Sequence, residues 1–306
     1  MMYVLLIVGF ILLIKGADYF VIGSSAIAHL LKVPSVIVGL TIVAMGTSAP
    51  EAAVSITAGL AGSNELALSN VIGSNIFNLV LIVGICALIK PFLVDSNIMK
   101  RDFPLAIAGS FVLLWFIKDG SLDRMEGLLF LALMVIYLMA TVFSAIKNPV
   151  EDGTENHTLP MHSCIFYIAI GLVGIIFGGD LVVDNACAIA AAFGLSETLI
   201  GLTIVAIGTS LPELVTSVTA SRKGESGLAL GNVVGSNIFN ILFILGLSST
   251  IHPIAADPLA LIDIPLLIIS TVIIYIYCFI KKEMGRFMGF LCAAAYVAYS
   301  IYIVIR

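Results

Sequence analysis

The chain has 306 residues, of which 60% are hydrophobic and only 11% charged, with a formal net charge of −5 and a mean hydropathy of +1.17. Soluble domains carry about 25% charged residues, so the composition excludes an ordinary soluble protein, and the acidic balance offers no footprint for nucleic acid. A membrane-crossing helix needs roughly 20 mostly apolar residues, which leaves space for short loops and one linker but for no separate soluble domain.

Apolar runs bounded by charge, Pro and Gly predict ten spans: 3–31, 35–60, 66–89, 103–117, 123–146, 161–192, 197–220, 227–251, 259–280 and 286–305. The first lacks the basic leading region and small-residue cleavage site of a secretory leader, and it continues past Lys15 and Asp18, so it reads as a membrane helix. Spans one and six exceed what a bilayer requires, which implies strong tilt; the fourth is short. The polar segment 147–160 lacks hydrophobic periodicity and falls at mid-chain, so it reads as a linker between residues 1–146 and 161–306. Ten of the 14 basic residues fall in alternate loops: Lys32, Lys90, Lys100, Arg101, Lys147, Arg222, Lys223, Lys281, Lys282 and Arg286. The positive-inside rule makes those loops cytoplasmic. A multi-pass protein of the cell membrane is expected, with both termini outside and the linker in the cytoplasm. Cys86, Cys164, Cys187, Cys278 and Cys292 stand singly in apolar stretches and read as packing residues. His29, His157, His162 and His252 lie at span ends or in the linker.

The chain repeats itself. Residues 39–51 recur as 201–213 with 11 of 13 positions identical, and residues 66–78 recur as 228–240 with the same count, both at an offset of 162. Asp18 with Asp180 and Pro91 with Pro253 keep that offset. Each half holds an odd number of spans, five, so the second copy enters the membrane from the opposite side. The expected fold is therefore all-α, with ten transmembrane helices in two inverted five-helix repeats, an architecture of many secondary transporters.

Glu51 and Glu213 fall about sixteen residues into their spans, in Gly46-Thr47-Ser48-Ala49-Pro50-Glu51 and Gly208-Thr209-Ser210-Leu211-Pro212-Glu213. A carboxylate at that depth costs about 3 kcal/mol even on insertion scales. No Lys or Arg accompanies them in these motifs, and the natural partner is a bound cation. Pro50 and Pro212 lack a backbone donor and are expected to break both helices, freeing the carbonyls of Gly46 and Gly208. Irregular backbone at membrane depth is tolerated where it lines a cavity. Ser74 and Asn78 in one half, with Ser236 and Asn240 in the other, add oxygens in two Gly-Ser-Asn-Ile-Phe-Asn segments, read as turns that approach closely at Gly73 and Gly235. Oxygen-only ligands suit a hard cation such as Ca²⁺; His or Cys ligands, which would suit zinc or copper, are missing from these motifs. Two ionised glutamates balance one Ca²⁺, so replacement by three Na⁺ would be electrogenic.

These segments resemble the α1 and α2 repeats of the cation/calcium antiporter superfamily, specifically its prokaryotic sodium/calcium exchangers. The resemblance implies four cation sites between spans 2, 3, 7 and 8, with spans 1 and 6 sliding across the rest to alternate access. It implies Glu51 and Glu213 as shared Ca²⁺ ligands, assisted by the backbone carbonyls of Thr47 and Thr209. It further implies flanking Na⁺ sites at Ala44, Ser48 and Ser236 and at Ser74, Ala206 and Ser210, with Asn78 and Asn240 at the centre. Many relatives carry Asp at the position of Asn240; an amide there disfavours K⁺ coupling.

The leading reading is a secondary antiporter that exchanges Ca²⁺ for Na⁺, with no cofactor and no obligatory protein partner. Its rival is Ca²⁺/H⁺ exchange, in which apposed carboxylates alternate between protons and Ca²⁺. Paired membrane carboxylates also serve intramembrane hydrolases, but Asp18 and Asp180 lack a G-x-G-D setting and no H-E-x-x-H motif is present, so the chain reads as a transporter and not as an enzyme. Asp18 and Asp180 are expected to have a structural role, Asp18 with Lys15 three residues before it. A role in attracting cations at a cavity mouth stays open, and Asp184 is a weaker candidate.

Overall fold

The computed structural model describes residues 1–60, 65–147, 159–194, 206–256 and 260–305. The expected linker lies almost wholly outside the described residues, as do positions 201–205 of the second repeat. The described part is all-helical apart from two minimal sheets: α1 (Met2–Leu30), α2 (Ser35–Thr47), α3 (Ala49–Leu60), α4 (Ala67–Ile89), α5 (Phe103–Phe116), α6 (Arg124–Lys147), α7 (Met161–Ala192), α8 (Leu211–Lys223), α9 (Ser226–Ile251), α10 (Ala260–Lys281) and α11 (Arg286–Ile305). Short strands pair β1 (Phe92–Leu93) with β4 (Glu283–Met284) and β2 (Ser121–Leu122) with β3 (Ile254–Ala255). Moving the Phe92–Met284 pair by the 162-residue offset gives the Ile254–Leu122 pair, so the offset exchanges the two sheets.

Among the described residues, seven helices are long and apolar enough to cross a membrane, and α2 with α3 adds an eighth as a pair bent by 48°. Ten spans were expected. The difference arises at α5, which has only 14 residues, and at the seventh expected span, whose first part is outside the described residues.

Two layers follow from burial. Of its most apolar window, α9 buries 94% and α4 72%, against 28% in α6 and α7 and 17% in α11. The helices carrying the repeated Gly-Ser-Asn-Ile-Phe-Asn segments are therefore central, and the outer helices turn apolar faces outward as lipid-facing helices do. Those segments are not turns. Glu65–Ile76 and Ser226–Phe239 are α-helical, and each continues through a wider π-helical stretch, Phe77–Ile82 and Asn240–Leu245. A buried turn would orphan backbone groups where no water can satisfy them, whereas a π segment keeps the ladder closed and redirects side chains, often at functional sites.

Helices α1 and α7, with 29 and 32 residues, reach about 44 and 48 Å at 1.5 Å per residue, and they pack along each other. A Cβ at Gly16 would stand 2.6 Å from the Ile175 backbone nitrogen, and one at Gly171 2.5 Å from that of Phe20. Apolar burial supplies little drive between helices in lipid, and close backbone approach through small residues replaces it. Gly235 has the same use where α9 meets α2: a Cβ there would lie 2.7 Å from Leu40 Cα.

Candidate cation site

The two glutamates stand at matched helix starts. Chain direction changes at Ser48 (φ −82°, ψ 10°) between α2 and α3, and at Ser210 (φ −92°, ψ 6°) ahead of α8. Pro50 and Pro212 each occupy the second position of the new helix, where a missing N–H is harmless. Glu51 and Glu213 follow directly, in the first turns of α3 and α8. Carboxylates are favoured there by the positive end of the helix dipole. One detail departs from expectation: backbone N–H groups at the end of α2 reach the carbonyls of Ala44 and Gly46, so Gly46 is not left free.

Both glutamates are fully buried, and each is held by the serine of the other repeat. Ser48 donates to Glu213 Oε1 at 2.7 Å, and Ser210 to Glu51 Oε1 at 3.0 Å. The Ser210 hydroxyl also lies 3.1 Å from Ser74 Oγ, and Ser236 Oγ lies 3.5 Å from the Ala44 carbonyl. The second oxygens, Glu51 Oε2 and Glu213 Oε2, have no hydrogen-bond partner among the described residues; the same holds for Thr209 Oγ1, Asn240 Oδ1 and both polar atoms of the Asn78 amide. Buried polar atoms are almost always satisfied, and an unmet one costs about 1–3 kcal/mol. An unmet oxygen on each buried carboxylate, with further unmet oxygens in the same repeated segments, fits a positive ion. Among the described residues no third acidic, His or Cys side chain joins them, so the donors are hard oxygens.

The structure thus joins Ser48 to Glu213, and Ser210 to both Glu51 and Ser74, with Ala44 and Ser236 joined to each other. Thr47 is buried with its hydroxyl 3.0 Å from Asn232 Oδ1, whereas Thr209 belongs to the turn before α8 and Ala206 opens the one-turn segment Ala206–Gly208. Asn240 Nδ2 donates to Asn75 Oδ1 at 3.1 Å. Sequence reasoning passed over Asn75, Asn237, Asn70 and Asn232. Asn232 donates to Ser217 at 2.9 Å, and Asn70 donates to Ser55 at 3.2 Å, the same contact at the 162-residue offset. The signal was available, because all four asparagines lie inside the matched stretches and are polar residues in otherwise apolar helices.

A cavity of about 450 Å³ approaches the site, lined by Ala49, Pro50, Gly208, Thr209 and Pro212 and by Asp180 and Asp184 of α7. A smaller one of about 100 Å³, between α4 and α11, reaches Ser74. Asp18, the counterpart of Asp180, pairs with Lys223 at 3.2 Å and not with Lys15 as the spacing allowed. Close by, Ser25 donates to Glu225 at 2.6 Å. Both contacts tie α1 to the end of α8 and the loop after it.

A bundle of apolar helices that buries two carboxylates among unmet oxygens, with cavities leading toward them, defines a membrane transporter of cations. Comparison with known proteins makes the class specific. The sodium/calcium exchanger protein family matches residues 1–143 and 163–305. The inner membrane protein YrbG of Escherichia coli (strain K12) is 37% identical, covering 96% of this chain and 94% of its own. The sodium/calcium exchanger MaX1 of Methanosarcina acetivorans is 32% identical over 98% of this chain and 97% of its own. Crystals of the sodium-calcium exchanger NCX_Mj soaked with Na⁺ and Sr²⁺ gave a structure similar at a TM-score of 0.87, with 33% identity and 97% of each chain covered. The chain belongs to the sodium/calcium exchanger family. It is a multi-pass membrane cation exchanger and not an enzyme.

Proposed function

We propose that the protein is a secondary antiporter that exchanges Ca²⁺ for Na⁺ by alternating access, at one site to which both halves contribute. The observation that carries this reading is the crossed pair of contacts, Ser48 to Glu213 and Ser210 to Glu51, which leaves one oxygen of each carboxylate unmet. Glu51 and Glu213 hold Ca²⁺. The carbonyls of Thr47 and Thr209 assist, and Ala44, Ser48 and Ser236, with Ser74, Ala206 and Ser210, hold Na⁺ beside them. Asn78 and Asn240 line the centre, and the neutral amide of Asn240 disfavours K⁺ coupling.

Ten spans in two inverted repeats, 1–146 and 161–306, support this cycle. Both termini face outside and the 147–160 linker is cytoplasmic. The exchange of the two sheets, and of the serine–glutamate contacts, by one sequence offset favours such a relation between the halves. With Glu51 and Glu213 as the acidic groups of the site, exchange of one Ca²⁺ for three Na⁺ moves net charge. Uptake of radiolabelled Ca²⁺ into proteoliposomes tests the coupling: an outward Na⁺ gradient at clamped pH drives uptake on this reading. Uptake that follows a pH gradient alone would replace it with Ca²⁺/H⁺ exchange.

A further inference from the structure

Asn75 and Asn237 occupy the same position in the two Gly-Ser-Asn-Ile-Phe-Asn segments, and both are buried where α4 meets α9. Each side-chain amide donates to the other's backbone carbonyl: Asn75 Nδ2 to Asn237 O at 3.2 Å, and Asn237 Nδ2 to Asn75 O at 3.0 Å. A backbone carbonyl only accepts, so each amide must present its nitrogen there. The orientation of Asn75 is thereby set by chemistry, and its Oδ1 is directed to a different neighbour. That neighbour is Asn240, whose Nδ2 donates to it at 3.1 Å. The constraint passes down the chain of amides: with its nitrogen committed to Asn75, Asn240 keeps a fully buried carbonyl oxygen with no hydrogen-bond partner among the described residues. The matching contact in the other half is not made. Asn237 Oδ1 and both polar atoms of the Asn78 amide are unmet, so Asn240 is tethered and Asn78 is not. The tether is one residue along the chain from the contacts of Glu51, because Ser74, next to Asn75, lies 3.1 Å from the hydroxyl of Ser210 that donates to Glu51.

We propose that Asn75 is a positioning residue that locks the Asn240 amide with its oxygen presented to a hard cation and its NH₂ group turned away. An untethered amide turns either end toward the site, and the NH₂ end repels a cation. A locked one acts as a neutral oxygen ligand of fixed geometry. This inference rests on the reading of the glutamate-lined centre as a cation site and adds a residue that the ligand set alone does not name.

The test uses the full chain purified in detergent, with Ca²⁺ and Na⁺ as probes. The concentration of each ion that gives half of its maximal thermal stabilisation is measured for the unsubstituted chain, Asn75→Ala, Asn240→Ala and the double variant. Loss of the partner that orients a metal ligand weakens metal affinity by roughly 10–100-fold. Asn75→Ala is expected to raise the half-saturating Ca²⁺ concentration within that range, and the double variant to be no worse than Asn240→Ala, because the two residues act as one unit. Asn75→Thr, which keeps an oxygen acceptor, is expected to recover part of the loss. Additive shifts in the double variant would overturn the proposal. So would an Asn75→Ala protein with a lower melting temperature in the absence of ions but an unchanged half-saturating concentration, since that is a purely structural effect. If Asn75→Ala fails to fold, difference infrared spectroscopy of the unsubstituted chain decides. Added Ca²⁺ is expected to shift a side-chain amide carbonyl band that Asn240→Ala lacks, and absence of that shift overturns the proposal. If neither Ca²⁺ nor Na⁺ stabilises the unsubstituted chain in a saturable way, the cation-site reading fails and the positioning role fails with it. Saturable stabilisation with additive variants overturns the positioning role alone.

Discussion

Around Glu51 and Glu213 the two halves repeat their serine–glutamate and asparagine–serine contacts, whereas at α1 and α7 they part. Each glutamate takes its hydrogen bond from the opposite serine, and Asn70–Ser55 matches Asn232–Ser217. In α1, however, Asp18 is engaged by Lys223 and Ser25 by Glu225, while in α7 the counterpart Asp180 lines a cavity of about 450 Å³ together with Thr209 and Pro212. The Thr47 hydroxyl meets Asn232, and the Thr209 hydroxyl oxygen meets no partner among the described residues. Symmetry at the binding groups gives two equivalent ligands. Asymmetry in access is what an exchanger needs, since a site approached equally from both faces would leak. We therefore propose that the structure is one conformer of an alternating cycle, in which the cavity beside Asp180 gives access and the Asp18–Lys223 pair helps to close the other side.

The largest effect is expected from removing one charge of the pair. Glu51→Gln or Glu213→Gln should each abolish Ca²⁺ flux in proteoliposomes while the protein stays inserted and folded, and the two losses should match because each carboxylate is half of one site. Near-normal flux in either variant would separate the halves functionally. Next come the crossed contacts. Hydrogen bonds to a charged group contribute about 1.5–3 kcal/mol, so Ser48→Ala and Ser210→Ala are expected to weaken Ca²⁺ binding by at least about tenfold each, measured by equilibrium binding. Thr47→Ala and Thr209→Ala should differ in thermal denaturation. The first loses a buried hydrogen bond worth about 1 kcal/mol, and the second removes a hydroxyl with no partner to lose. The smallest effect belongs to Lys223→Ala. Its ion pair with Asp18 is about one-third exposed on both sides and such pairs contribute less than about 1 kcal/mol, so global stability should hardly change. Spin-label distances between α1 and α8 should nevertheless broaden as the closed side loosens, and an unchanged distribution would show that the pair has no part in closure.

Much of this site was legible in the sequence because duplication marks position twice. Glu51, Ser48 and Pro50 recur at one offset, and a buried acid is too unfavourable in hydrocarbon to persist without use. A repeat shows which residues are equivalent, but not which copies touch. The crossing of Ser48 to Glu213 is a tertiary fact with no local signal. The helical character of residues 73–78 was missed for a related reason. Gly and Asn favour turns in water, but the need to satisfy every buried backbone group overrides that preference. The partner of Asp18 lay more than 200 residues away, beyond any helical spacing rule, and Lys15 was the nearer but wrong candidate. The expected span at 103–117 is matched by α5, whose 14 residues are fewer than the bilayer rule assumes.

On the proposed function, both halves of the chain share one cation site. Equilibrium binding of radiolabelled Ca²⁺ to the purified chain and to its Glu51→Gln and Glu213→Gln variants tests it most directly. Saturable binding of a single Ca²⁺ per unsubstituted chain is expected, with loss of that binding in either variant alone. A variant that keeps the original affinity at any fraction of the original capacity would show two independent sites and contradict it.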